Sequence, residues 1–166
     1  MSTAPSTVGG WRRILGGLAV AMLLEQLPWS GWTLALRPDF VLVGVLFWAL
    51  HQPARIGFGV AFFVGLLADY LNGAVFGQHA MAYVIGVYLV QFLRLRLLQF
   101  DPMRQAAQLF PILLTVQLLV VLIGWLAGKP PIDLAILLPV MSNTLLWFLI
   151  AGVLRLWHGK GLQDQG

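Results

Sequence analysis

The chain contains no cysteine among its 166 residues, which excludes disulfides, thiolate metal sites and cysteine nucleophiles. Charge is scarce too. Only 10% of the residues are Asp, Glu, Lys or Arg, and just six of them are acidic. Ordinary soluble domains carry about 25% charged residues, so the polar surface of a soluble domain is missing. The three histidines, His51, His79 and His158, form no H-E-x-x-H and no cluster at ligand spacing, and no metal site is read here. There is no G-x-S-x-G, no P-loop and no dinucleotide fingerprint. Gly57-Phe-Gly59 is a lone G-x-G inside an apolar run, where helix packing explains it. The basic residues do not gather into a patch with interleaved aromatics, so nucleic acid is not an expected partner. No internal repeat is evident that would indicate an inverted-repeat transporter.

Apolar residues make up 60% of the chain, the composition of an integral membrane protein. Six apolar segments can be drawn: about Trp11 to Leu27, Pro38 to Leu50, Ile56 to Leu71, Gln78 to Leu93, Arg104 to Ala127 and Ile132 to Trp157. A membrane-crossing helix needs about 20 residues, with a range of about 17–25. The fifth and sixth segments meet this outright; the first, third and fourth meet it with their flanks. The second is short, since Phe40 to Leu50 rises only about 17 Å as a helix. It either spans with help from residues 34–39 or is re-entrant. The expected fold is an all-α bundle of six transmembrane helices over residues 11–158. A disordered stretch at 1–10 precedes it and a short tail at 159–166 follows.

Charge sets an orientation. With six spans and an inner N-terminus, Arg12, Arg13, Arg55, Arg94, Arg96, Arg104, Arg155 and Lys160 lie inside, and only Arg37 and Lys129 lie outside. That bias is the one the positive-inside rule demands. Both termini are then cytoplasmic. Glu25, Asp39, Asp69 and Asp133 fall near the outer ends of spans and give that face a negative rim, at the level of Trp29, Trp32, Tyr70 and Trp125.

Gly57, Ala61, Gly65, Asp69 and Gly73 recur every fourth residue and would share one helix face. Small residues at this spacing admit close helix approach in lipid, either within the bundle or from a partner. The rim residues Arg37, Asp39, Asp69, Asn72 and Gln78 form the candidate partner surface or polar pocket. Asp39 follows Pro38 in what reads as the first turn of its helix, and Arg37 would pair with Asp39 or Asp69 or stand as an interfacial cation. Asp39 and Asp69 can also be read as an acid–base pair acting on a lipid-linked glycan, but carboxylates at helix ends mostly cap or pair, and no catalytic residue is assigned. Gln117, Ser142, Asn143 and Thr144 are polar residues within apolar segments. They either bond between helices or line a cavity for a small ligand or lipid. Pro139 is expected to kink the last helix.

The run Arg37-Pro-Asp39-Phe, then Arg55-Ile-Gly57, Gly65-Leu-Leu-Ala-Asp69, Gly73 and Phe-Gly77-Gln-His79-Ala80 resembles the MreD family of rod shape-determining proteins. The Gly128-Lys-Pro130-Pro131 loop and the final span with Arg155, His158 and Lys160 continue the resemblance, although the family's basic tail is usually denser. It implies a multi-pass protein of the bacterial inner membrane, without enzymatic activity or cofactor. The implied fold is similar to the substrate-binding subunits of energy-coupling-factor transporters. The implied partners are MreC, the RodA–PBP2 peptidoglycan synthase and, indirectly, MreB filaments, within the lipid bilayer.

Overall fold

The computed structural model describes residues 7–31, 34, 36–129 and 137–160. Residues 1–6 of the expected disordered stretch 1–10, residues 161–166 of the expected tail 159–166, Trp32, Pro130, Pro131 and Asp133 lie outside the described residues, whereas residues 7–10 and 159–160 belong to the first and last helices. The described residues are all-helical: α1 (Thr7–Glu25), α2 (Phe40–His51), α3 (Phe58–Asn72), α4 (Gln78–Phe92), the one-turn α5 (Arg94–Leu97), α6 (Pro102–Leu126) and α7 (Leu137–Lys160).

Local chemistry sets the helix ends. Asp39 is the N-cap of α2, its Oδ1 accepting from Leu42 N at 2.7 Å. It therefore stands just before the first turn rather than in it, satisfying one of the helix's orphan N–H groups. Gly73 ends α3 in the left-handed region at φ 59°, with its N–H returned to Asp69 and Tyr70 carbonyls. Gly77, at φ 94°, turns the chain into α4. Pro102 opens α6, where its missing N–H costs nothing. Pro139 lies in α7 two residues after Leu137, and residue 135, which the kink expected of it would involve, is outside the described residues. The proline deep inside a helix is Pro111 of α6, whose carbonyl accepts from Thr115 Oγ1 at 2.8 Å.

The long helices alternate in direction. Glu25 at the end of α1 meets Asn72 at the end of α3, and Asn143 of α7 meets the start of α2. At the opposite end Arg94 Nε donates to Leu50 O and Gln91 Nε2 to Ile56 O. One end thus collects Glu25, Asp39 and Asp69; the other collects Arg12, Arg13, Arg55, Arg94, Arg96 and Arg104. We refer to these as the acidic and basic ends.

α2 and α4 form the centre. α2 packs against α1, α3, α4 and α7, while α4 packs against α2, α3 and α6. α2 is apolar all round, and Val41, Leu42, Val43, Val45, Leu46, Ala49 and Leu50 are all buried. A helix apolar on every face belongs inside a bundle. Gly86 of α4 sits where a side chain would meet Val116 Cγ2 at 2.9 Å and Leu46 Cδ2 at 3.2 Å, so its smallness lets α4 nest between α2 and α6. The exterior is the reverse of a soluble protein's. Phe63, Tyr70, Phe76, Phe92, Leu95, Met103 and Leu126 are each more than two-thirds exposed, while Asp69, Gln78, Gln105 and Asn143 are buried. Among the described residues one helix, Met103–Leu126, is long and apolar enough to cross a membrane, and Phe40–His51, Phe58–Asn72 and Leu137–Gly152 are shorter apolar helices.

Candidate functional site: a buried polar network at the acidic end

The four-residue stripe on α3 divides. Ala61, Gly65 and Asp69 are buried along the helix. At Gly65 a Cβ would run into the Ala80 Cα and lie 2.7 Å from Ala80 N and 2.9 Å from His79 C. Gly65 thus faces the backbone of α4 in the same chain, as small residues at helix crossings allow. Gly57 and Gly73 do not share this contact. They are the N-cap and C-cap of α3, beyond the helical periodicity, and a Cβ at either meets nothing within 4 Å.

The close approach at Gly65 brings Asp69 against the first turn of α4. Asp69 Oδ2 accepts from Gly77 N at 2.9 Å and Ala80 N at 3.4 Å. Oδ1 accepts from His79 N at 2.8 Å and contacts His79 Nδ1 at 2.8 Å. The residue is fully buried. Its position near a helix end suggests a partly solvated acid. Instead it caps the neighbouring helix, whose N-terminal N–H groups and dipole favour an anion there. Nδ1 faces the carboxylate, and Nε2 of His79 has no hydrogen-bond partner among the described residues.

Asp39 has different partners. Tyr83 Oη donates to it, lying 2.7 and 2.8 Å from the two carboxylate oxygens. Its own N–H donates to Asn143 Oδ1 at 2.7 Å, tying α7 to α2. The Tyr83 and His79 rings meet edge to face at 5.8 Å, which joins the two carboxylate sites.

Arg37 pairs with neither Asp39 nor Asp69. Both of those carboxylates are already occupied. Its Nη2 lies 3.1 Å from Glu25 Oε1 and 2.8 Å from Asn72 Oδ1, and Asn72 Nδ2 donates back to Glu25 Oε1 at 3.2 Å. This triangle fastens α1, the α1–α2 connection and α3. Gln78 spans to α6, donating to Val120 O at 2.7 Å and accepting from Lys129 Nζ at 3.3 Å. Gly124 makes room for it, since a Cβ there would lie 3.2 Å from Gln78 Nε2.

Of the five rim residues, Asp69 and Gln78 are buried and cannot form an accessible partner surface. The Asp69 carboxylate is consumed by the start of α4, and the Gln78 amide by Val120 O of α6 and Lys129 Nζ. Arg37, Asp39 and Asn72 are partly exposed. Of the four polar residues within apolar segments, Asn143 alone joins this network. Ser142 and Thr144 donate to Leu138 O and Val140 O of their own helix at 3.1 and 2.8 Å. Gln117 stands apart, half-buried on α6. The residues that sequence reasoning passed over are Tyr83, His79 and, at the basic end, Gln105. Gln105 donates to Leu97 O and accepts from Trp147 Nε1, each at 3.1 Å, linking α6 to α5 and α7. Only the polarity of a Gln and a Tyr within apolar runs could have flagged them.

Among the described residues the arrangement holds helices together. No group of three or more His, Asp or Glu side chains among the described residues is placed to hold a metal ion. A helix bundle with an apolar exterior and its carboxylates, amides and tyrosine turned inward defines a helical membrane protein. Residues 8–163 match the family model described as rod shape-determining protein MreD. The chain belongs to the MreD family. The rod shape-determining protein MreD of Haemophilus influenzae is 30% identical over 80 residues, which are 48% of this chain and 49% of that protein. The match thus spans about half the length of that curated relative. No solved structure matches the chain.

Proposed function

We propose that this chain is a non-enzymatic inner-membrane component of the bacterial cell-elongation machinery. It maintains rod shape and supports lateral peptidoglycan synthesis by binding MreC and the RodA–PBP2 synthase, with MreB filaments reached indirectly. The family match over residues 8–163 carries this reading. The direct-partner assignments follow from the family resemblance and come to this chain as part of the proposal. In this reading the six helices other than the one-turn α5 all cross the bilayer as one domain, with both termini in the cytoplasm and the acidic end outside, in a fold similar to energy-coupling-factor substrate-binding subunits. The arginines at the basic end support that orientation. The buried network makes the outer end rigid, so that Arg37, Asn72 and the exposed Tyr70 and Phe76 around it present a fixed surface to a partner.

The test is replacement. A rod-shaped bacterium depleted of its own MreD family protein should regain rod shape when this chain is expressed, and MreC should co-purify with the chain from gently solubilised membranes. Round cells despite correct membrane insertion, together with no MreC recovered, would refute the proposal.

A further inference from the structure

The polar groups at the acidic end are not all matched. Asp39 and Asp69 have partners on both carboxylate oxygens. Glu25 does not. Its side chain is only 5% exposed, Oε1 is held by Arg37 and Asn72, and Oε2 is buried with no hydrogen-bond partner. A buried carboxylate oxygen left without a donor is costly and points to a missing group. Nearby acceptor and donor atoms are likewise unengaged among the described residues. His79 sets Nδ1 against Asp69 Oδ1, and its Nε2 has no hydrogen-bond partner among the described residues on a side chain 17% exposed. Arg37 uses only Nη2, leaving the rest of its guanidinium edge. Trp29 Nε1 is buried without an acceptor, its ring 6.3 Å from that of Phe40, the residue after Asp39.

Unengaged polar atoms on Glu25, His79, Arg37 and Trp29, all at the acidic end, are together the complement of a zwitterion. The surroundings identify its source. Leu24, Leu27, Tyr70 and Leu71 are exposed around this end, an apolar and aromatic collar of the kind that sits at a bilayer interface. We propose that the acidic end binds the head group of a phospholipid bearing a primary ammonium, phosphatidylethanolamine being the type. The ammonium donates to Glu25 Oε2 and His79 Nε2, and the phosphate accepts from the free edge of Arg37 and from Trp29 Nε1. A metal ion does not fit the same place, because no three ligating side chains converge among the described residues. The site goes beyond the shape-determining role and holds whether or not the chain binds MreC.

The experiment is native mass spectrometry of the full-length chain in detergent micelles, titrated with short-chain phosphatidylethanolamine, phosphatidylcholine and phosphatidylglycerol. Phosphatidylcholine keeps the positive charge but has no N–H to donate. Charge-assisted hydrogen bonds are among the stronger ones, so phosphatidylethanolamine should bind about tenfold or more tighter than either competitor. Glu25→Gln should erase that preference. If Glu25→Gln yields no folded protein, the lipid series on the unaltered chain decides alone. Equal retention of phosphatidylethanolamine and phosphatidylcholine, a preference for phosphatidylglycerol, or an undiminished preference in folded Glu25→Gln would each overturn the proposal.

Discussion

Asp69 on α3 and His79 on α4 meet twice: one carboxylate oxygen accepts from the His79 backbone N–H and contacts its Nδ1, both at 2.8 Å. One side chain therefore caps a helix and orients a ring. Asp69→Asn replaces one of the two acceptor oxygens by an amide that also donates, so at least one N–H of the α4 first turn loses its partner. The expected loss is about 1–3 kcal/mol. For a chain of this length it should lower the thermal midpoint in micelles by roughly 2–4 °C per kcal/mol. Fluorescence-detected size-exclusion chromatography after graded heating would read this. An unchanged midpoint would show that water replaces the carboxylate.

Gly65 and Gly59 lie six residues apart on α3 and should answer differently to the same change. A methyl at Gly65 meets the α4 backbone, which cannot swing aside. Gly65→Ala should therefore cost about 1–3 kcal/mol through overpacking, and Gly65→Leu should abolish the folded monodisperse species. A methyl at Gly59 meets nothing within 4 Å. Gly59→Ala should be neutral or stabilise by up to about 1 kcal/mol through helix propensity. Equal effects at the two sites would mean the stripe is not a helix-packing device.

Three adjacent polar residues on α7 provide another contrast. Asn143 accepts from Asp39 N across two helices, whereas Ser142 and Thr144 bond within α7. Interhelical hydrogen bonds in membrane proteins are worth about 0.6–2 kcal/mol. Asn143→Leu should cost at least that, since it also leaves the Asp39 N–H without its acceptor. Ser142→Ala and Thr144→Val should fall within about 0.5 kcal/mol of the parent. Tyr83→Phe should resemble Asn143→Leu. A double-mutant cycle between Tyr83→Phe and Asp39→Asn should give a coupling within the range of about 0.5–3 kcal/mol found for residues in contact.

The helices and their sequence order were legible because long apolar runs punctuated by Pro, Gly and Asp leave few alternatives. The end of the bundle that gathers the acids was legible from charge segregation. Partner choice was not. Arg37 could be paired by proximity in sequence with Asp39, but three-dimensional competition gave Asp39 to Tyr83 and Asn143, and Glu25 to Arg37. The burial of Asp69 was equally hidden, because a carboxylate at a helix end reads as solvated until the neighbouring helix N-terminus is seen to lean on it. The fourth-residue spacing overstated the stripe. It continues through Gly57 and Gly73, while the helix runs only from Phe58 to Asn72.

The short α2 carries the last prediction. Its 12 residues rise about 18 Å, well short of the hydrocarbon thickness of about 30 Å. Two features compensate at its ends. Asp39 and its partners place polar atoms at one end, and Arg94 Nε supplies a donor to the Leu50 carbonyl at the other. At each terminus a protein group thus satisfies an orphan backbone group, which would let a short helix cross inside a bundle where the lipid does not reach it. Topology reporters fused after residue 30 and after residue 54 should therefore report opposite sides of the membrane, with residue 54 on the cytoplasmic side. The same side for both would show that α2 returns to the face it entered from, and would remove the six-span arrangement. Arg94→Leu, which strips the donor from Leu50 O, should weaken the crossing first. It should lower the yield of folded protein while leaving the reporter after residue 30 unchanged.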